Sequence, residues 1–208
     1  LAGVWAKANT RAEIFDALRR RETFATSGSR LRLRLFAGDL PENLGVQEEA
    51  IALAYERGVP MGSDLVVSES PRFWVWAAQD PAGAPLDRIQ VIKGWVSEGQ
   101  PQQRVWDVVC SGGRMPNNEG KCPSTAAGVD LDSCERTGSE GAAELQVMFS
   151  DPEFSADKSA FYYVRVLENP TCRWTTLLAN SAGEDLPSDL AATVQERGWS
   201  SPIWLASR

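Results

Sequence analysis

At 208 residues, 43% hydrophobic and 24% charged, the chain is long enough for one globular domain, or one domain plus a fragment, with its own core. Its formal charge of −7 argues against non-specific binding to nucleic acid or an anionic membrane, and no apolar run approaches the roughly 20 residues of a membrane helix. It has no histidine, which excludes a Ser-His-Asp or Cys-His nucleophile pair and any zinc centre built on imidazole.

The opening, Leu1-Ala-Gly-Val-Trp-Ala, has neither an initiator methionine nor the charged-then-apolar order of a signal segment. It reads as the inside of a longer polypeptide. Residues 1–36 carry eight Lys/Arg against three Asp/Glu, which leaves the remainder at −12. Residues 9–22 predict a helix: Asn9 or Thr10 can cap it, Glu13 sits at capping-box distance from Thr10, and Ile14, Phe15 and Leu18 share a face. Thr23 to Gly28 follows as an extended piece and a turn. Arg30 to Phe36 then alternates Arg with Leu, the pattern of a half-buried strand.

Gln47–Arg57 is helical by pattern, with Gly58 as its stop. From Arg72 the signals turn to β. Arg72–Ala78, Arg88–Val96, Arg104–Cys110, Glu144–Ser150, Phe161–Leu167 and Ser201–Leu205 are short, rich in Val, Ile and aromatics, and bounded by turn residues. Within Phe161–Leu167 the alternation turns Tyr162, Val164 and Val166 inward, against Phe161, Tyr163 and Arg165. Leu186–Arg197 reads as a short helix. The cysteines are Cys110, Cys122, Cys134 and Cys172, three of them at the edge of or within a polar loop over 111–141. With no C-x-x-C pair and no histidine, they favour disulfides in an oxidising compartment over zinc, and three pairings fit the spacing.

Few motifs survive comparison with chance. Ser155-Ala-Asp-Lys158 has serine–lysine nucleophile spacing but lacks the companion elements, and Asp130-Leu-Asp132 lacks most of a calcium loop. Trp74 and Trp76, two apart in one strand, face the same way: they make either a stacking platform or, the commoner use of aromatics, part of the core. Arg19-Arg20-Arg21 ends the first helix, where cations complement the macrodipole or could clamp an anion.

Three long stretches carry a resemblance. The first is Leu1-Ala-Gly-Val-Trp-Ala with Asn9 to Gly28, and the second is Pro85-Leu-Asp-Arg-Ile-Gln-Val-Ile-Lys-Gly-Trp95. The third joins Ala160-Phe-Tyr-Tyr-Val-Arg-Val-Leu-Glu168, Arg173-Trp-Thr-Thr176 and Gln195-Glu-Arg-Gly-Trp-Ser-Ser-Pro-Ile-Trp204. Together they resemble the C-terminal portion of a large bacterial family of unknown function related to PHP-type (polymerase and histidinol phosphatase-like) metal-dependent hydrolases. The resemblance implies a metal-binding (β/α) barrel upstream, holding divalent ions on His, Asp and Glu ligands. It implies that 1–29 are the barrel's last elements and that 30–208 form an appended domain.

The expected fold is therefore mainly β, an antiparallel β-sandwich-like domain with an N-terminal helix left over from the barrel and one or two short inserted helices. The expected function is that of an accessory region of a PHP-like hydrolase acting on a phosphate or other ester of a small molecule. It would scaffold or cover the cleft, with no catalytic residue, metal ligand or cofactor of its own. Arg20, Arg21 and Thr26 are the candidate substrate-binding groups. The alternatives are a carbohydrate- or ligand-binding sandwich using Trp74 and Trp76, and a purely structural interaction domain with an apolar face around Leu1, Val4, Trp5, Ile14 and Phe15. The expected partner is the barrel, the expected location periplasmic or secreted, with neither nucleic acid nor membrane span.

Overall fold

A computed structural model of the chain describes residues 1–207. It opens with β1 (Ala2–Val4) and α1 (Arg11–Arg19). The α1 N-cap is Thr10, whose hydroxyl accepts from the Glu13 amide at 3.3 Å, and Arg21 at φ 60° turns the chain out of the helix. Next come β2 (Thr23–Thr26), β3 (Arg32–Gly38), α2 (Glu48–Arg57), β4 (Gly58–Pro60) and β5 (Asp64–Val67). The long strands β6 (Arg72–Ala78), β7 (Leu86–Ser97) and β8 (Gln100–Cys110) follow, then a small ribbon of β9 (Gly128–Val129) with β10 (Arg136–Thr137) inside the cysteine-rich loop. The chain closes through β11 (Glu144–Ser150), β12 (Ala160–Glu168), β13 (Thr171–Cys172), α3 (Trp174–Ala182), β14 (Thr193–Val194), β15 (Arg197–Ser200) and β16 (Ile203–Ser207).

The fold is mainly β, in two large open sheets flanked by the two-stranded ribbons β9/β10 and β13/β14. In the larger, β7 pairs antiparallel with β8 on one side and β12 on the other. The far edge of β12 is shared: β16 pairs at Ala160–Tyr162 and β15 at Arg165–Leu167. β15 leads on to β2 and β1, while β16 pairs with β5 in the sheet's parallel contact. The smaller sheet runs β11-β6-β3-β4, antiparallel throughout. Hydrogen bonding is continuous across the expected division at 29/30, since β2 joins β15 with Thr26 opposite Gly198. Trp5 adds a cross-link by donating its indole N–H to the Leu33 carbonyl at 2.9 Å, with the Arg34 guanidinium 3.5 Å from its ring centre.

Strand alternation decides what is buried. Leu31, Leu33 and Leu35 meet Phe73, Val75 and Ala77 of the smaller sheet and Ile89, Val91, Tyr162, Val164 and Val166 of the larger in one core. Each such side chain contributes about 1.5–3 kcal/mol on burial, so the arginine–leucine strand is fixed by its leucines. The other face of the smaller sheet is covered by α2 and the preceding loop, where Phe36 and Trp74 pack on Leu40, Leu44 and Ala54. The helix expected over 186–197 is absent: residues 186–192 form a turn-containing loop, and the rest supplies β14 and the first residue of β15. A helix, α3, lies instead at 174–182 and stops at Gly183, whose φ of 68° is left-handed.

Candidate functional site

The alternation that turns Tyr162 and Val164 inward presents Phe161 and Tyr163 on the outer face of the larger sheet. Register then brings partners from two neighbouring strands. Phe161 lies opposite Gly94 of β7 and opposite Trp204 of β16. The Phe161 ring lies over Gly94, where a Cβ would collide with it, so the glycine lets the ring settle onto the sheet. Phe161 and Tyr163 are nearly parallel, 16° between planes with centroids 6.4 Å apart, and Trp204 leans in at 5.0 Å and 46°. Trp204 is 45% exposed.

These rings floor a groove of about 870 Å³ whose other walls include Ile92, Trp95 and Val96. Its rim is polar, with Gln102 and Gln103 of β8 on one side and Asp157, Lys158 and Ser159 on the other. An apolar aromatic floor with a few convergent polar groups suits an amphipathic small molecule. The floor is braced from beneath, because Lys93 and Tyr162 are the inward neighbours of its outward residues. Lys93 Nζ and the Tyr162 hydroxyl each donate to Asp151 at 2.6 Å, the Glu153 amide donates to Asp151 at 2.7 Å, and Lys93 also donates to the Glu153 carbonyl at 3.0 Å. Burial, then the hydrogen bond to Asp151, pushes the Tyr162 hydroxyl far above its ordinary pKa, so it stays a donor.

The structure places the sequence-derived candidates elsewhere. Trp74 is 1% exposed, wedged at a ring distance of 5.9 Å from Phe36 under α2, and offers no face to a ligand. Trp76 is half-buried, with the Arg32 guanidinium 5.9 Å from its centre. Of the two uses weighed for Trp74 and Trp76, the structure shows the core at Trp74, with Trp76 partly buried beside it on the face that α2 covers. Arg20 pairs with Glu22 at 3.3 Å and Arg21 with Asp64 at 3.2 Å, whereas the Thr26 hydroxyl donates to the Ser29 carbonyl at 2.5 Å. The two arginines are engaged at one end of β2 and the threonine at the other. Because both partners of the Arg21–Asp64 pair are exposed, Arg21→Ala is expected to shift the unfolding free energy by less than about 1 kcal/mol in a urea titration.

The cysteines form Cys110–Cys122 and Cys134–Cys172. Asp130 does not face a cation: its Oδ1 accepts from the amides of Asp132 and Ser133 and the Ser133 hydroxyl, bonds that hold its carboxyl below the usual range. Ser155 and Lys158 are joined through a backbone turn, the Lys158 amide donating to the Ser155 carbonyl at 3.3 Å. Among the described residues no three His, Cys, Asp or Glu side chains group closely enough to hold a metal ion, and no helix is long and apolar enough to cross a membrane.

A family model described as a protein of unknown function (DUF3604) matches residues 1–207. The chain belongs to the DUF3604 family. No curated protein and no solved structure matches it. In this DUF3604 chain the groove takes its rings from β12 and β16 and its rim from β8 and the 157–159 loop.

Proposed function

We propose that this chain is the ligand-holding accessory region of a PHP-like metal-dependent hydrolase, and that its groove takes a carbohydrate portion of the substrate. The observation that carries the binding half is the set of Phe161, Tyr163 and Trp204 on an uncovered sheet face. Two nearly parallel rings complement the C–H face of a pyranose, and amide, hydroxyl and carboxylate groups on the rim match its hydroxyl edges. The hydrolase half rests on the three family-like stretches. In it the barrel would hold divalent metals that activate a water for attack on a phosphate or other ester, and α1 would be the barrel's closing helix. Arg20, Arg21 and Thr26 would then lie near that junction. Two disulfides fit a periplasmic or secreted setting.

A glycan array followed by calorimetry with the best-bound oligosaccharide tests the groove. Trp204→Ala and Phe161→Ala are each expected to weaken binding about tenfold or more without unfolding the chain. An array without signal, or equal affinity in Trp204→Ala, overturns the assignment. A docking role for the N-terminal region has its own support, since Phe15 and Leu18 of α1 are more than half exposed, as is Leu1.

A further inference from the structure

A second cavity, of about 450 Å³, lies away from the groove, where the turn after β6 meets the end of β12 and the cysteine-rich loop. Ser29, Asp80, Gly83, Arg136, Glu168 and Glu196 line it, with Cys134 at its edge. We propose that this cavity binds a small organic cation, an ammonium or guanidinium with several N–H donors. The inference is independent of the carbohydrate reading.

Charge balance comes first: three carboxyl groups share the wall with one guanidinium. Arg136 is partly spent, since its Nη1 donates to the Gly83 carbonyl at 2.8 Å. Asp80 accepts from the amides of Arg30 at 2.7 Å and Ala82 at 3.0 Å, bonds that hold its carboxyl below the usual range and keep it ionised. Glu196 accepts from the Ser27 hydroxyl. The second observation is an acceptor without a donor. Glu168 is 1% exposed at the register shift that ends β12, and its Oε1 has no hydrogen-bond partner. The Ser29 hydroxyl beside the cavity is likewise buried and unpartnered. A Cβ at Gly83 would stand 3.3 Å from Glu168 Oε2, so the glycine keeps that carboxyl within reach of the cavity.

Buried carboxylates are rarely left this way, because an unsatisfied buried acceptor is destabilising. An anion would be repelled, and a neutral sugar would leave the charge excess in place. The carboxyls are not close enough to share a metal ion. A cation with divergent N–H groups offers donors to carboxyls that line one cavity but stand too far apart to share a single metal ion.

Burial is the largest influence on the Glu168 carboxyl and raises it above its ordinary pKa, with the nearby Ser29 hydroxyl and Ala84 amide opposing the rise and the Glu196 and Asp80 charges adding to it. A cation favours the ionised form, so its binding releases a proton from Glu168 and tightens as pH rises through that group's pKa. Asp80, Glu196 and Arg136 are the other charged groups facing it.

Calorimetry on the full chain with spermidine, glucosamine and arginine amide, against glucose and phosphate as controls, tests this. At least one cation is expected to bind, with a proton release visible as a heat that depends on the buffer's ionisation enthalpy. Glu168→Gln is expected to remove the proton release and weaken binding about tenfold. Glu196→Gln, at a more open position, is expected to weaken it as well and serves if Glu168→Gln does not fold. Arginine amide binding in preference to the free amines would identify a peptide side chain as the source. Absence of cation binding, or binding equal in a folded carboxyl variant, overturns the proposal.

Discussion

Asp151→Ala is expected to destabilise the fold by about 3–5 kcal/mol, because it strands a buried ammonium. Lys93 and Asp151 are both almost wholly withdrawn from solvent, and Nζ meets the carboxylate at 2.6 Å. The same carboxylate accepts from Tyr162 and from the Glu153 amide, so one substitution removes the partner of three donors. What remains for Lys93 is a single carbonyl, that of Glu153, and the ring faces of Trp95 at 5.2 Å and Tyr162 at 5.7 Å. Those contacts replace little of the attraction lost. Urea unfolding followed by tryptophan fluorescence measures the effect, and a loss below about 1 kcal/mol would show that the pair does not brace the groove floor. Removing both charges is expected to be far milder. Lys93→Met with Asp151→Leu leaves no ion unpaired, and such replacements are often neutral. Since Lys93 and Tyr162 alternate with Gly94 and Phe161 along β7 and β12, the single variant is also expected to lose the groove's affinity.

Much of this architecture is legible in the sequence, and the failures have identifiable physical origins. Arg72–Ala78 and Glu144–Ser150 are strands over the expected residues, because apolar and β-branched content and turn punctuation agree there. Residues 186–197 read as a short helix, yet pairing of Thr193–Val194 with β13 and of Arg197 with β12 draws the end of that segment into strands and overrides its weak helix propensity. α3 escapes notice because it opens on Trp174-Thr-Thr, residues that favour strands. The candidate site shows the same division between local and non-local information. Alternation correctly puts Trp74 and Trp76 on one face and Phe161 and Tyr163 on another. Which face stays open depends on α2 lying against the smaller sheet, and which rings meet depends on β16 pairing with β12. Neither follows from periodicity along one strand. Glu168 ends a family-like stretch, but nothing in that stretch marks it as a site residue; it is buried at a register shift between paired strands.

Removing Cys134–Cys172 is expected to be the second large effect, and it separates the two binding sites. The bridge closes 38 residues, against 12 for Cys110–Cys122. Chain-entropy loss in the unfolded state then gives stabilisations of about 4 and about 3 kcal/mol respectively. The longer bridge ties the 111–141 loop to β13, where Asn180 of α3 also donates to the Leu131 and Asp132 carbonyls at 2.7 and 2.9 Å. Cys134→Ser with Cys172→Ser is therefore expected to lower the melting temperature more than the corresponding Cys110/Cys122 pair and to open the 111–141 loop to proteolysis. Because Cys134 borders the acidic cavity and neither bridge borders the aromatic groove, cation binding should weaken at temperatures where oligosaccharide binding survives. A chain whose stability and cation affinity were indifferent to reductant would remove the bridge from both roles. Equal loss at the two sites would instead mean that the loop, the cavity and the larger sheet unfold as one cooperative unit.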